Sequence, residues 1–308
     1  MAARSFWFGA FATVVCSGGL ALLFASREVQ PVTQRLDLPQ PLPIAAQPLV
    51  LPPAREQLME FLPDQSIRLL RPSGREITVR YSAVVADPQW VDVAFYGGWE
   101  RELEANEDSS ALAFVTGPTY ERQEGFNDLG IALHGDLVLA NGQWDAGNRA
   151  AARQRAYWAI TTGGELEFGY GRLPPEAEGR YRVFVGGLHA FHHPDAVPPE
   201  SYKGVYQAMT LADVRIVYAW RDDGRLELLE TADGLRFNDL ELLVKARGFR
   251  AAFLPDHASK SRLIIPGQKL WSDKQALWVS GGRLDIIPLP FMLKLQPSRA
   301  WYEASDRL

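Results

Sequence analysis

The sequence predicts an α+β domain built mostly from antiparallel sheets with few helices. Three observations carry that prediction. Short segments rich in β-branched and aromatic residues recur along the chain with tight turns between them, as at 157–161 and 166–170 around Gly163-Gly164. One stretch only, 231–268, reads as a long helix followed by two strands and a polar corner. Finally, 308 residues with 47% hydrophobic and 11% aromatic letters suffice for a large core.

The N-terminus carries an address. Arg4 precedes an apolar run over 6–25, and Arg27 and Glu28 follow it, so residues 1–27 read as a signal anchor or signal peptide. The small-x-small cleavage pattern fits poorly at 23–26, which favours a retained anchor. With Arg4 on the short side, the bulk of the chain is expected outside the cytoplasm, exported and periplasmic or otherwise extracytoplasmic, with the membrane as a partner. Cys16, the single cysteine, falls in this segment and reads as a buried apolar thiol, so no disulfide framework is available. Residues 28–57 are rich in proline and glutamine and read as an extended linker, leaving 58–308 as a single folded domain. The net charge of -5 arises from 32 basic and 37 acidic residues mixed along the chain, which excludes the basic footprint of a nucleic-acid binder.

Within the domain, 77–85 alternates as a strand and 90–96 follows it after Asp87-Pro88. Residues 100–105 read as a short helix, and 111–115 as a buried strand running into Thr116, Gly117, Pro118, Thr119, Tyr120 and Glu121. Residues 131–141 read as one hairpin arm ending at Asn141-Gly142, and 181–186, 214–220 and 226–231 continue the series. Asn238 is placed to cap the long helix, with Glu241 completing a capping box, Leu240, Leu243 and Val244 on one face and Gly248 as a left-handed stop. Strands at 251–254 and 262–265 follow, separated by a turn that crowds Pro255, Asp256, His257, Ser259, Lys260 and Ser261. That corner reads either as a solvated hairpin tip or as a site built on strand ends.

Other clusters read as framework. The glycine pairs at 97–98, 163–164, 186–187 and 281–282 read as hairpin corners, and Asp222-Asp223-Gly224 as a hairpin turn rather than a calcium loop. His189, His192 and His193 lie in an expected loop with Asp195 behind them. Imidazoles bind zinc or copper when a rigid frame holds them, and without such a frame no metal site is expected there. The acidic run from Glu100 to Asp108 reads as a solvated helix face, and Trp99, Trp144, Trp271 and Trp301 as packing or as carbohydrate platforms.

The order of these segments resembles the phosphodiester glycosidase domain family, of the N-acetylglucosamine-1-phosphodiester alpha-N-acetylglucosaminidase type. The resemblance rests on AFVTGPTY at 113–120, IALHGDLVLANGQW at 131–144, Arg215 followed by IVYAWRDDGRLELL, and the helix, glycine and strand of 239–261 leading into a loop that stands for the family's Asp-Gly-Gly-x-Ser. It implies a phosphodiester-glycosidase-like fold from about residue 77 to the end, and hydrolysis of sugar 1-phosphodiesters or related glycosidic bonds in envelope carbohydrate. It further implies Asp256 as acid, base or ligand of a divalent cation, with His257 beside it and Glu121 as a second carboxylate. Arg215 would pair with phosphate, and Gly117, Thr116, Tyr120, Ser259 and Ser261 would line the substrate. No further cofactor is implied. Thr116 stands where the family has asparagine, and His257-Ala258 where it has two glycines. These departures keep a second expectation open: an envelope carbohydrate-binding or scaffold protein of the same fold without turnover.

Overall fold

The computed structural model describes residues 51–177, 179–193, 198, 200, 212–255, 260–282 and 287–307. The expectations for the N-terminal address and most of the linker, and those for Asp195, Asp256, His257 and Ser259, lie outside the described residues. Among the described residues no helix is long and apolar enough to cross a membrane.

In chain order the elements are β1 (Met59–Leu70), β2 (Glu76–Ala86), β3 (Val91–Gly97), α1 (Glu102–Glu107), β4 (Ala113–Thr116), β5 (Tyr120–Arg122), β6 (Ile131–Leu133), β7 (Leu137–Leu139), β8 (Gly142–Trp144), α2 (Arg149–Gln154), β9 (Ala156–Thr161) and β10 (Leu166–Tyr170). Then come β11 (Tyr181–His192), β12 (Ile216–Trp220), β13 (Leu226–Thr231), α3 (Phe237–Arg247), β14 (Ala251–Leu254), β15 (Leu263–Ile264), α4 (Asp273–Val279), β16 (Phe291–Pro297) and α5 (Arg299–Ser305). The large sheet runs β1-β2-β13-β12-β14-β11-β7-β8, with β9 on β11 and β10 on β9. A second sheet runs β15-β4-β16-β3, and β5 and β6 form a separate ribbon. Every one of these pairings is antiparallel, as the α+β prediction requires.

The period of two along each strand explains the layering. Ile216, Tyr218 and Trp220 of β12 and Phe253 of β14 enter a core shared with Ala113 and Val115 of β4 and Leu293 and Leu295 of β16. The alternate residues Val217, Ala219, Ala252 and Leu254 enter a second core under Leu240, Leu243 and Val244 of α3. The outer face of the second sheet, through Phe114, Ile264 and Met292, packs on Ala105 of α1 and on Ala276 and Val279 of α4. Four layers result: α3, the large sheet, the small sheet, and α1 with α4. Both faces of both sheets are covered, which is why the central strands read as nearly continuous apolar runs.

Several details differ from the sequence reading. The N-cap of α3 is Arg236 with no side-chain cap, and Asn238 lies inside the first turn. The start is fixed instead by a tertiary ion pair, Arg71 Nε and Nη2 donating to the two oxygens of Asp239 at 2.7 Å each. Gly248 does close the helix, at φ 64°. The expected single arm at 131–141 is two strands in different sheets. Its break is forced at Gly135, where a Cβ would lie 2.0 Å from the Gly187 nitrogen, so the two backbones cross in contact. Gly186-Gly187 is accordingly no hairpin corner but a bulge inside β11, marked by a register shift between Val185 and Leu188. His189 and His192 therefore sit on a strand rather than in a loop, paired opposite Leu254 and Ala252 of β14. Asp222-Asp223-Gly224 is the β12–β13 turn, as read from the sequence.

Candidate functional site

The ends of β4 and β14 and the approach to β12 come together, joined by hydrogen bonds at Thr116, Thr119 and Ser261. Thr116, at the end of β4, donates its hydroxyl to the Lys260 carbonyl at 2.6 Å and accepts the Arg262 amide at 2.7 Å. Its own amide donates to the Arg262 carbonyl at 3.0 Å, and its carbonyl accepts the Tyr218 hydroxyl. Thr119 donates to the carbonyl of Pro255, just beyond β14, at 3.0 Å. Ser261 is buried and donates to the Val214 carbonyl at 2.8 Å, beside Arg215. Thr116, Thr119 and Val214 are thus tied to Pro255, Lys260 and Ser261, the described residues on either side of 256–259.

The side chains divide into those engaged by the framework and those turned elsewhere. Thr116 and Ser261 hold backbone. Gly117 is buried against Phe291, where a Cβ would lie 2.1 Å from the ring. Tyr120 is half-buried, edge-on to Phe291 at 6.0 Å, with the Lys260 ammonium 4.4 Å from its ring centroid. That cation on an aromatic face is a contact the sequence reading missed. Glu121 is about half exposed and meets Asn148 and His134.

Arg215 is 2% exposed, immediately ahead of β12. Burial pulls its guanidinium below the ordinary value, while the Asp213 carboxylate acts in the opposite direction. An arginine remains protonated through such a shift, so a positive charge is held at the approach to β12. Arg262 is fully buried: Nε donates to Glu102 Oε1 at 2.9 Å, Nη2 to the Ile287 carbonyl at 2.9 Å, and the guanidinium lies 4.1 Å over Trp271. Glu102 is therefore buried, which corrects the reading of the acidic run as a solvated face: the member that points inward has a cation waiting for it.

Beneath Thr119 lie two further groups that the sequence reading did not place at the site. His189 is fully buried and Arg155 nearly so, the guanidinium rests directly against the imidazole, and Thr119 Oγ1 is 3.5 Å from His189 Nε2. Arg155 reaches this place because α2 ends there and β9 begins. His193 packs among aromatic rings instead, 4.5 Å from Phe168 and 6.1 Å from Phe253. Among the described residues no group of three or more His, Cys, Asp or Glu is arranged to hold a metal ion. The tryptophans are part of the packing: Trp271 is buried, Trp144 stacks on Phe95 at 4.7 Å, Trp99 donates to the Leu129 carbonyl and Trp301 to that of Pro53.

No family model matches the chain, and no curated protein matches it in sequence. Solved structures do resemble it. The zebrafish N-acetylglucosamine-1-phosphodiester alpha-N-acetylglucosaminidase catalytic domain, auto-inhibited by its pro-peptide, superposes with a TM-score of 0.55 at 14% identity, covering 79% of this chain and 84% of that one. A hypothetical protein from Synechocystis gives a TM-score of 0.51 at 10% identity, covering 76% of this chain and 62% of that one. At these identities the shared property is the fold, and the fold is the phosphodiester-glycosidase-like one that the order of segments implied.

Proposed function

We propose that the chain is a hydrolase of sugar 1-phosphodiesters or related glycosidic bonds in envelope carbohydrate, exported and held at the membrane by its apolar segment 6–25. The observation that supports this most is the set of hydrogen bonds that ties Thr116, Thr119 and Val214, the residue before Arg215, to Lys260, Pro255 and Ser261, which flank residues 256–259, on a fold similar to that of a sugar phosphodiester glycosidase. Hydrolysis at an anomeric carbon bonded to phosphate requires positive charge against the phosphate and proton transfer at the reacting centre. Arg215 and Lys260 supply the charge in this reading, and the Tyr120 ring a surface for the sugar. Asp256, with His257 beside it, acts as acid or base or holds a divalent cation, and Glu121 is the second carboxylate. Ser259 donates to sugar or phosphate.

A second reading has its own observation. Thr116 and Ser261 are engaged by backbone groups, and His257-Ala258 replaces the glycines that the family resemblance implies, so the same fold would serve a carbohydrate-binding or scaffold protein without turnover. One experiment separates the two. The full chain, purified in detergent, is offered a panel of sugar 1-phosphodiesters and aryl glycosides with and without EDTA, beside Asp256→Asn and Arg215→Gln. Turnover lost in both folded variants supports the hydrolase, and sensitivity to EDTA gives Asp256 the cation role. An inactive wild type that binds envelope polysaccharide saturably supports the binding protein.

A further inference from the structure

The outer layer of the domain consists of two short helices, α1 of six residues and α4 of seven, lying on the small sheet. Their inward residues, Ala105 of α1 and Ala276 and Val279 of α4, share a core with Phe114, Ile264 and Met292 of that sheet. Both helices therefore turn their other sides away from the same sheet, and those sides carry apolar groups. Eight large apolar side chains stand exposed among the described residues, and four of them belong to this layer. Leu103 of α1 is 63% exposed, Leu270 just ahead of α4 52%, and Leu277 and Trp278 of α4 38% and 40%. Asn106 joins the two pieces, its side chain donating to the Trp271 carbonyl and accepting the Trp271 amide at 2.8 Å each. Leu103 lies three residues before Asn106, on the same side of α1.

The chain also enters the domain here. Arg55, near the first described residue, donates from Nη2 to the carbonyls of Ser109 and Ser110 at 2.9 and 3.0 Å, just beyond α1. Arg55 and Glu56 line one cleft with Asn106 and Glu107 of α1. An anchor at 6–25 therefore pulls on the domain beside this layer. The carboxylates of the layer are largely neutralised, Glu102 by Arg262, Glu104 by Arg101 and Asp108 by Lys294, while Lys274 follows Asp273. A stable protein interface takes about 800 Å² and roughly 20–30 residues from each side, far more than four side chains offer. Leucines beside a tryptophan suit instead the boundary between water and acyl chains.

We propose that the α1–α4 face is a membrane-contact surface, with Leu103, Leu270, Leu277 and Trp278 entering the outer part of the lipid bilayer that holds the segment 6–25. The inference rests on the reading of 6–25 as a retained anchor and is independent of the hydrolysis. Such a face settles about 5–10 Å into the boundary between headgroups and acyl chains. The order of layers then turns α3 and the large sheet to the water side.

The test uses the full chain with Cys16→Ser, which leaves no other cysteine, reconstituted with the domain outward in vesicles of phosphatidylethanolamine and phosphatidylcholine. One cysteine at a time is introduced by Leu103→Cys, Leu277→Cys or Leu70→Cys and labelled with a fluorophore. Leu70 is 63% exposed and precedes Arg71, which pairs with Asp239 of α3, so its label reports from the α3 side of the stack. A lipid bearing a nitroxide just below its headgroup lowers emission at 103 and 277 by about twofold or more, since a face at that depth lies within its reach. The label at 70 is unchanged by the nitroxide and is the one quenched most by aqueous iodide. A chain that does not float with the vesicles overturns the anchor reading and this inference with it. A chain that floats while the labels at 103 and 277 escape the nitroxide keeps its anchor and overturns the inference alone. Iodide access at those labels then turns the face to water, and loss of that access gives it to a second copy or to the chain's own linker. Equal quenching of all three labels by the nitroxide also overturns the inference, because the domain then has no preferred face.

Discussion

Thr116→Val isolates the contact that ties β4 to the far side of the site. The side chain is 2% exposed, and valine has nearly the same shape, so the change removes a hydroxyl without opening a cavity. Two bonds go with it, the donor to the Lys260 carbonyl at 2.6 Å and the acceptor for the Arg262 amide at 2.7 Å. A buried polar group deprived of its partner costs about 1–3 kcal/mol, so the two together cost about 2–6 kcal/mol. For a domain of this size each kcal/mol lowers Tm by about 2–4 °C, so the lower bound corresponds to a fall of about 4 °C or more. Thermal unfolding followed by tryptophan fluorescence measures it, with Thr116→Ser as the control that keeps the hydroxyl. A Thr116→Val protein melting within about 1 °C of wild type, on the same scale, would refute the claim that this hydroxyl pins the two segments together.

Other sites give separate tests. Gly117→Ala places a Cβ 2.1 Å from the ring of Phe291, which is itself stacked on Phe95 at 4.7 Å. Overpacking of that kind destabilises by about 1–3 kcal/mol, read as a lower urea midpoint. Glu102→Ala strands the buried Arg262 guanidinium and costs about 3–5 kcal/mol in urea unfolding. Adding Arg262→Met recovers most of that loss, and a double variant no more stable than Glu102→Ala would contradict the pairing. Burial alone pushes the Asp136 carboxyl up, but Arg172 and the amides of Ala146 and Leu173 outweigh it and hold the group below the ordinary carboxylate value. A depressed folded value gives stability that is complete above the unfolded pKa of about 4 and disappears as the pH falls through the folded value. The stability gap between wild type and Asp136→Asn therefore narrows in urea titrations carried from neutral pH into acid below that point.

Much of the fold was legible because its strands carry their signals locally. β12 and β13 are apolar runs about a Asp-Gly turn, and Leu240, Leu243 and Val244 do face the core from α3, whose end falls at Gly248. The positions of some candidate residues were legible at the same level: Arg215 lies just ahead of β12, and Gly117 to Thr119 follow β4, as the lettering at strand ends indicated. What could not be read depends on contacts between distant residues. β1, twelve residues long, hides behind Pro63-Asp64, where the register breaks and Asp64 takes φ 48°. Its place at the sheet edge is what tolerates that break. Arg155 against His189 and Lys260 over Tyr120 leave no pattern in the sequence. Asn148 did leave one, an N-cap residue ahead of an alanine-rich turn, which locates α2 though not the carboxylate it holds.

The polar groups near the ends of β4 and β14 divide into those engaged by the framework and those that carry charge. Hydroxyls at Thr116, Thr119 and Ser261 all terminate on backbone carbonyls, so they fix the frame and leave the reacting roles to charged side chains. Those charges are held in unlike settings. Arg215 is buried, Lys260 lies half-buried on an aromatic ring, and Glu121 is about half exposed and accepts from Asn148. Tyr120 and Glu121 turn to opposite faces of one three-residue strand, Tyr120 toward Lys260 and Phe291 and Glu121 toward Asn148 and His134. Buried cations interact strongly with an anion that approaches them, because little water remains to screen them. Turnover by the wild type, lost in a folded Arg215→Gln variant, is therefore what distinguishes a hydrolase from a binding protein of the same fold.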